Sequence, residues 1–101
     1  MINVTYNRKH LRITAEGHAN FGAVGSDIVC SAASILLYTL ENALEHEGYG
    51  VNADFTPNTA AYVEAIGTHK GKARVLFDAI YGGYAMLAAT YPENVSVKEQ
   101  G

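Results

Sequence analysis

The stretch GHANFGAVGSDIVCSAAS, residues 17–34, gathers the side chains best suited to chemistry. It holds Cys30, the only cysteine of the chain, and His18, twelve positions before it. Ser26 or Asp27, just ahead of an apolar run, offers a helix N-cap. With Asp27 as the cap, Cys30 occupies the third helical position. Free amides and the positive end of the helix dipole favour a thiolate there. The thiolate is the nucleophilic form of cysteine. The same free amides, those of Cys30 and its neighbours, could hold a developing oxyanion. His18 ends a predicted strand on the other side of the loop, so it can approach the thiol and act as its base. Ser34 lies one helical turn after Cys30 on the same face.

Each of these residues also has a plainer explanation. A free cysteine flanked by Val29 and Ala32 packs well as a small hydrophobe. His18 is one of four histidines, alongside His10, His46 and His69. Asp27 could only cap the helix, or it could orient and charge-balance His18. Its carboxylate also opposes the dipole's effect on the thiol. Ser34 could back-bond to a helix carbonyl. The glycines Gly17, Gly22 and Gly25 let the loop bend and approach a ligand.

The flanking segments must position this stretch. Ile2, Val4 and Tyr6 alternate with polar residues, then a polar turn over residues 7–9 leads to a second alternation of Leu11, Ile13 and Ala15. Two strands are expected, paired as a hairpin. A helix follows over about residues 27–46, apolar nearly all round in its first half and therefore deep in the fold. Glu41, Glu45 and Glu47 mark its wet end, and Gly48 stops it. Val51, Ala53 and Phe55 suggest a third strand; Pro57 and Asn58 turn the chain; Ala61, Val63 and Ala65 suggest a fourth. A second helix is expected from about Lys70 to Tyr91, ended by Pro92, and Val95 and Val97 begin a last strand. The order is ββαββαβ, a two-layer α+β domain over residues 1–101 with two helices on a mixed β-sheet. Gly82 and Gly83 inside the second helix suggest a close helix approach, at a dimer seam for example. The tyrosines Tyr81, Tyr84 and Tyr91 belong to the core or its rim.

The totals bound the function. Of 101 residues, 49% are apolar and 17% charged, with a net charge of −3, enough for a real core and too few basic residues for a nucleic-acid footprint. One cysteine fits a reducing compartment, and the N-terminal residues lack an apolar secretory region, so a cytoplasmic protein is expected. The longest apolar stretch, residues 28–40, is too short for a membrane span. One cysteine and dispersed histidines make no metal site, and no cofactor is indicated.

GHA, the twelve-residue step from His18 to Cys30, and the run GSDIVCSAAS together resemble the ribosomal-processing cysteine protease family, Prp. ARVLFDAIYGGYAMLAATYPENVSVKE is similar to that family's second helix, its YP stop and its last strand, so the resemblance spans nearly the whole chain. The loop segment NFGAV is smaller and less charged than in that family, and the connection ahead of the second helix is shorter.

The resemblance implies a dimeric cysteine endopeptidase that removes a short N-terminal extension from a large-subunit ribosomal protein. Phage-encoded relatives would instead trim capsid or scaffold proteins. Cys30 would be the nucleophile and His18 the base, with Asp27 and Ser34 in support. Gly17 and Gly25 would be hinges of a loop, with Gly22 between them, that closes over bound peptide. A peptide-binding module without catalysis, built on the same loop, is the rival reading.

Overall fold

A computed structural model of the protein describes residues 1–23, 26–67 and 71–101. The elements run β1 (Ile2–Asn7), β2 (Arg12–Glu16), α1 (Ile28–His46), β3 (Gly50–Asp54), β4 (Ala61–Ile66), α2 (Gly71–Thr90) and β5 (Val95–Gln100). The expected order ββαββαβ is the observed one. The strands form one mixed sheet, ordered β3-β4-β2-β1-β5. All pairings are antiparallel except β1 with β5.

Register puts the alternating apolar residues in rows. Tyr6 faces Ile13, which faces Val63, which faces Ala53. Ile2 and Val4 face Val95 and Val97. This side of the sheet carries the helices: Tyr6 stacks on Phe77 of α2, with ring centroids 6.0 Å apart. The other side is polar, with Arg12 lying 3.9 Å over the Tyr62 ring and 3.7 Å from Glu64. A sheet with one apolar and one polar face supports two layers and no more.

α1 buries one stripe: Val29, Ala33, Leu37, Leu40 and Leu44. By length and composition this helix could also cross a membrane; in the fold its stripe covers the sheet. The expectation of an all-round buried first half is not met. Ile28 and Ile35 are 59% and 58% exposed. A helix lying on a sheet beside one other helix has only those two neighbours, and its outer face stays uncovered. Val75 and Met86 of α2 are also exposed.

The helix ends follow their local chemistry. Gly48, at φ +85°, closes α1: its N–H bonds to Glu45 O and that of Tyr49 to Leu44 O, the two bonds of a Schellman motif. α1 and α2 meet at Gly83, where an added Cβ would lie 2.8 Å from Leu36 Cδ2, whereas a Cβ at Gly82 would meet nothing within 4 Å. The expected close approach is therefore within the chain and belongs to Gly83. Tyr84 is fully buried and donates its hydroxyl to Ala33 O of α1 at 2.5 Å. Tyr81 and Tyr91 are partly buried against the core.

Two expected strand residues fall outside strands. Leu11 belongs to the β1–β2 turn, at φ +49°, yet its side chain is fully buried. The turn ends one residue later than the alternation suggests, because Leu11 O accepts from Ala65 N–H in β4. Phe55 follows the end of β3 and packs on Tyr38, ring centroids 4.6 Å apart. The expected helix start at Lys70 lies outside the described residues.

Candidate active site

α1 begins as the sequence suggests. Asp27 is the N-cap, in extended conformation, and Cys30 is the third helical residue. The Asp27 side chain does more than cap. Its Oδ1 accepts from Val29 N at 2.9 Å and Cys30 N at 3.1 Å; its Oδ2 accepts from Phe21 N at 2.9 Å and Gly22 N at 3.1 Å. One carboxylate thus ties the helix start to the loop that carries His18. Burial alone would raise the Asp27 carboxyl, but the amides of Cys30, Gly22, Phe21 and Val29 outweigh it and hold it below the usual carboxylate range.

This occupancy corrects one expectation. The amides of Val29 and Cys30 are not free for an oxyanion, because Asp27 already holds them. It also clarifies Asp27 itself. All four of its bonds go to backbone amides, and among the described residues none joins it to His18. Its structural work is to fasten the loop.

Cys30 is partly buried and lies against the core. Its Sγ accepts a hydrogen bond from the Ala19 amide at 3.4 Å. Sequence reasoning missed this donor, since an alanine displays no polar side chain. Ala19 is itself buried, and its carbonyl accepts from Asn94 Nδ2 at 2.8 Å. Asn94 follows the YP stop, where an asparagine reads as an ordinary turn residue. Nothing in the local sequence links it to the loop.

His18 leaves the end of β2 through Gly17. Gly17 has φ +97°, and an added Cβ would overlap the Met1 carbonyl oxygen. Only glycine fits a backbone that both takes this conformation and passes so close to another chain segment. Gly22 has no such constraint: a Cβ there would meet only ordinary contacts at 3.7 Å. Gly25 lies outside the described residues. The loop is further fixed where Phe21 meets Tyr91 edge-on, centroids 5.1 Å apart.

His18, Cys30, Ser34 and Asn58 all line two adjoining clefts. One, of about 210 Å³, is largely apolar, with Ile2, Ala15, Leu37, Phe55 and Pro57 in its walls. The other, of about 530 Å³, adds Asn20, Asp27 and Ser31. The fold therefore brings the sequence-predicted pair, His18 and Cys30, into one groove. Among the described residues no hydrogen bond joins the two side chains; the Cys30 sulfur is bonded to the Ala19 amide. Ser31, not Ser34, back-bonds to the carbonyl four residues earlier, at 3.2 Å to Asp27 O. Ser34 stays in the groove. Among the described residues no cluster of three or more His, Cys, Asp or Glu could hold a metal ion.

Known proteins share this fold. The crystal structure of an essential ribosomal processing protease Prp from S. aureus, in complex with a covalently linked product peptide, superposes with a TM-score of 0.87 at 22% identity, covering 99% of this chain and 100% of that one. SMU.848 from Streptococcus mutans superposes at 0.74 with 30% identity over 98% of this chain and 91% of that one. The S. aureus protease in complex with a substrate peptide gives 0.78 at 19% identity, over 98% and 97% of the chains. No curated protein sequence matches the chain. The profile of the cysteine protease Prp matches residues 1–96. The chain belongs to the Prp family of cysteine proteases.

Proposed function

We propose that this protein is an endopeptidase with Cys30 as nucleophile and His18 as general base, and that it removes the N-terminal extension of a large-subunit ribosomal protein. The observation that carries the reading is the setting of the Cys30 sulfur: it sits at the start of α1, receives the Ala19 N–H, and opens to a groove shared with His18. A cysteine used only for packing needs neither the donor nor the groove. The S. aureus protein, similar over its whole length, is a ribosomal processing protease seen with substrate and product peptides.

His18 takes the Cys30 proton, and the sulfur forms a bond to the scissile carbonyl carbon. The carbonyl π pair moves to oxygen. As the sulfur's charge passes into the new C–S bond, the Ala19 N–H that it held turns to this oxygen, while the Val29 and Cys30 amides stay with Asp27. The C–N bond then breaks, and His18 returns its proton to the leaving amine. Water, deprotonated by His18, attacks the thioester and releases the sulfur. The reaction calls for no cofactor. The apolar cleft suits a hydrophobic side chain beside the scissile bond, and Ser34 and Asn58 suit the substrate backbone. Gly17 and Gly25 would act as hinges of a loop that closes over the peptide.

The same reading places the protein in the cytoplasm and makes it a homodimer. The dimer is supported by the uncovered apolar strip of Ile35 and Leu36 on α1 with Gly83, Met86 and Leu87 on α2. Mixing the protein with the ribosomal precursor should give a truncated product, detected by mass spectrometry. Equal cleavage by wild type and Cys30→Ala would refute the nucleophile. A monomeric mass in light scattering would refute the dimer.

A further inference from the structure

We infer that Asn94, far from the His–Cys stretch in sequence, is a positioning residue for the nucleophile and its base. The inference rests on the proposed roles of Cys30 and His18. The residue is rigidly held. Its backbone N–H bonds to Tyr91 O at 3.0 Å, and its carbonyl accepts from Ile2 N at 2.8 Å. The end of α2 and the start of β1 therefore fix its Cα, leaving only two side-chain torsions free. Those torsions present Nδ2–H to Ala19 O at 2.8 Å.

Ala19 is 1% exposed, so neither of its backbone polar groups can turn to water without cost. Asn94 satisfies the carbonyl and Cys30 Sγ satisfies the N–H. Fixing the carbonyl fixes the orientation of the residue, and the N–H stays on the sulfur. That N–H belongs to the peptide unit joining His18 to Ala19. The same contact therefore anchors the backbone from which the imidazole reaches the groove. Asp27 fastens the loop at Phe21 and Gly22; Asn94 fastens it at Ala19, next to the chemistry.

Without the Asn94 amide, the Ala19 carbonyl is left buried and unpaired. The Ala19–Asn20 peptide unit then turns toward solvent and carries Ala19 with it, and the Ala19 N–H leaves the sulfur. The thiolate loses a donor and the base loses its anchor.

The test uses Asn94→Leu, which keeps size and neutrality but removes the donor, and Asn94→Ala as a second variant. His18 and Asp27, the titratable groups lining the groove with Cys30, are untouched in both. Alkylation by iodoacetamide reports on one thiol only, because the chain has one cysteine. In both variants the rate near neutral pH should fall about tenfold, the scale of one lost hydrogen bond, and the rate profile should move to higher pH. On a precursor peptide, kcat should fall by a like factor while KM changes by less than about twofold. Gly48→Ala, which weakens the fold away from the groove, should leave the profile in place.

An unmoved profile in a folded Asn94→Leu protein overturns the inference. So does an equal shift in Gly48→Ala. If wild type cleaves no precursor while Asn94→Leu still shifts the alkylation profile, the positioning role stands and the protease reading falls.

Discussion

Gly17 links β2 to His18, and replacing it by alanine should damage the protein in two separable ways. The first is conformational. At φ +97° a residue with a Cβ is strained, by about 1–2 kcal/mol in left-handed backbone. The second is steric. The new Cβ would overlap the Met1 carbonyl oxygen, which is backbone and cannot swing aside. Moving Met1 would pull on Ile2, whose N–H is bonded to Asn94 O at 2.8 Å and which pairs with Val95. Overpacking of this kind adds about 1–3 kcal/mol, for a total of roughly 2–5 kcal/mol.

Gly48 is the control. Its φ is +85°, and a Cβ there would meet nothing within 4 Å. Gly48→Ala should therefore cost only the conformational part, about 1–2 kcal/mol. Urea unfolding followed by far-ultraviolet circular dichroism measures both variants under one condition. With each kcal/mol worth roughly 4–8 °C in a domain of this size, melting curves should separate them as well. Equal destabilisation by the two substitutions would refute the argument that close approach to Met1 selects glycine at position 17. Peptide cleavage should also fall in Gly17→Ala, because the strain is relieved next to the base.

Gly82→Ala should stabilise the protein by about 0.5–1 kcal/mol in urea unfolding, since helix propensity rises and the space is open, whereas Gly83→Ala should gain less because Leu36 must move. Tyr84→Phe removes a buried donor to Ala33 O and should cost about 0.5–1.5 kcal/mol by the same measurement. Phe77→Ala, emptying a fully buried site against Tyr6, should cost about 3–5 kcal/mol. Asp27 has a folded-state carboxyl below its unfolded range, so its contribution is present above the ordinary value of about 3.9 and is lost as pH falls through the lower folded value. Asp27→Asn should therefore weaken that part of the acid dependence in a pH series of melting curves, and an unchanged series would refute the sign.

Much of the site was legible because its determinants are local. Alternation at Ile2, Val4 and Tyr6 announces a strand whichever partners it finds, and Asp27 caps the amides of Val29 and Cys30 in any context where the helix forms. Gly48 terminates α1 by a motif contained within the six residues Leu44 to Tyr49. The spacing of His18 and Cys30 across one loop made their meeting possible. It could not say which amides would be free, because a capping carboxylate and an oxyanion compete for the same donors.

The tertiary structure decided that competition, and with it the rest of the site. Asp27 turned out to bind both the helix and the loop, because Phe21 and Gly22 fold back over it. The donor on the Cys30 sulfur is a backbone amide, which no residue type advertises, and it is aimed by Asn94 from the far end of the chain. The exposed faces of Ile28 and Ile35 likewise follow from how many neighbours α1 has in space. Periodicity and capping depend on bonds among near residues and are written in their order. The aim of an amide and the cover of a helix face depend on distant segments meeting, which happens only in the folded protein.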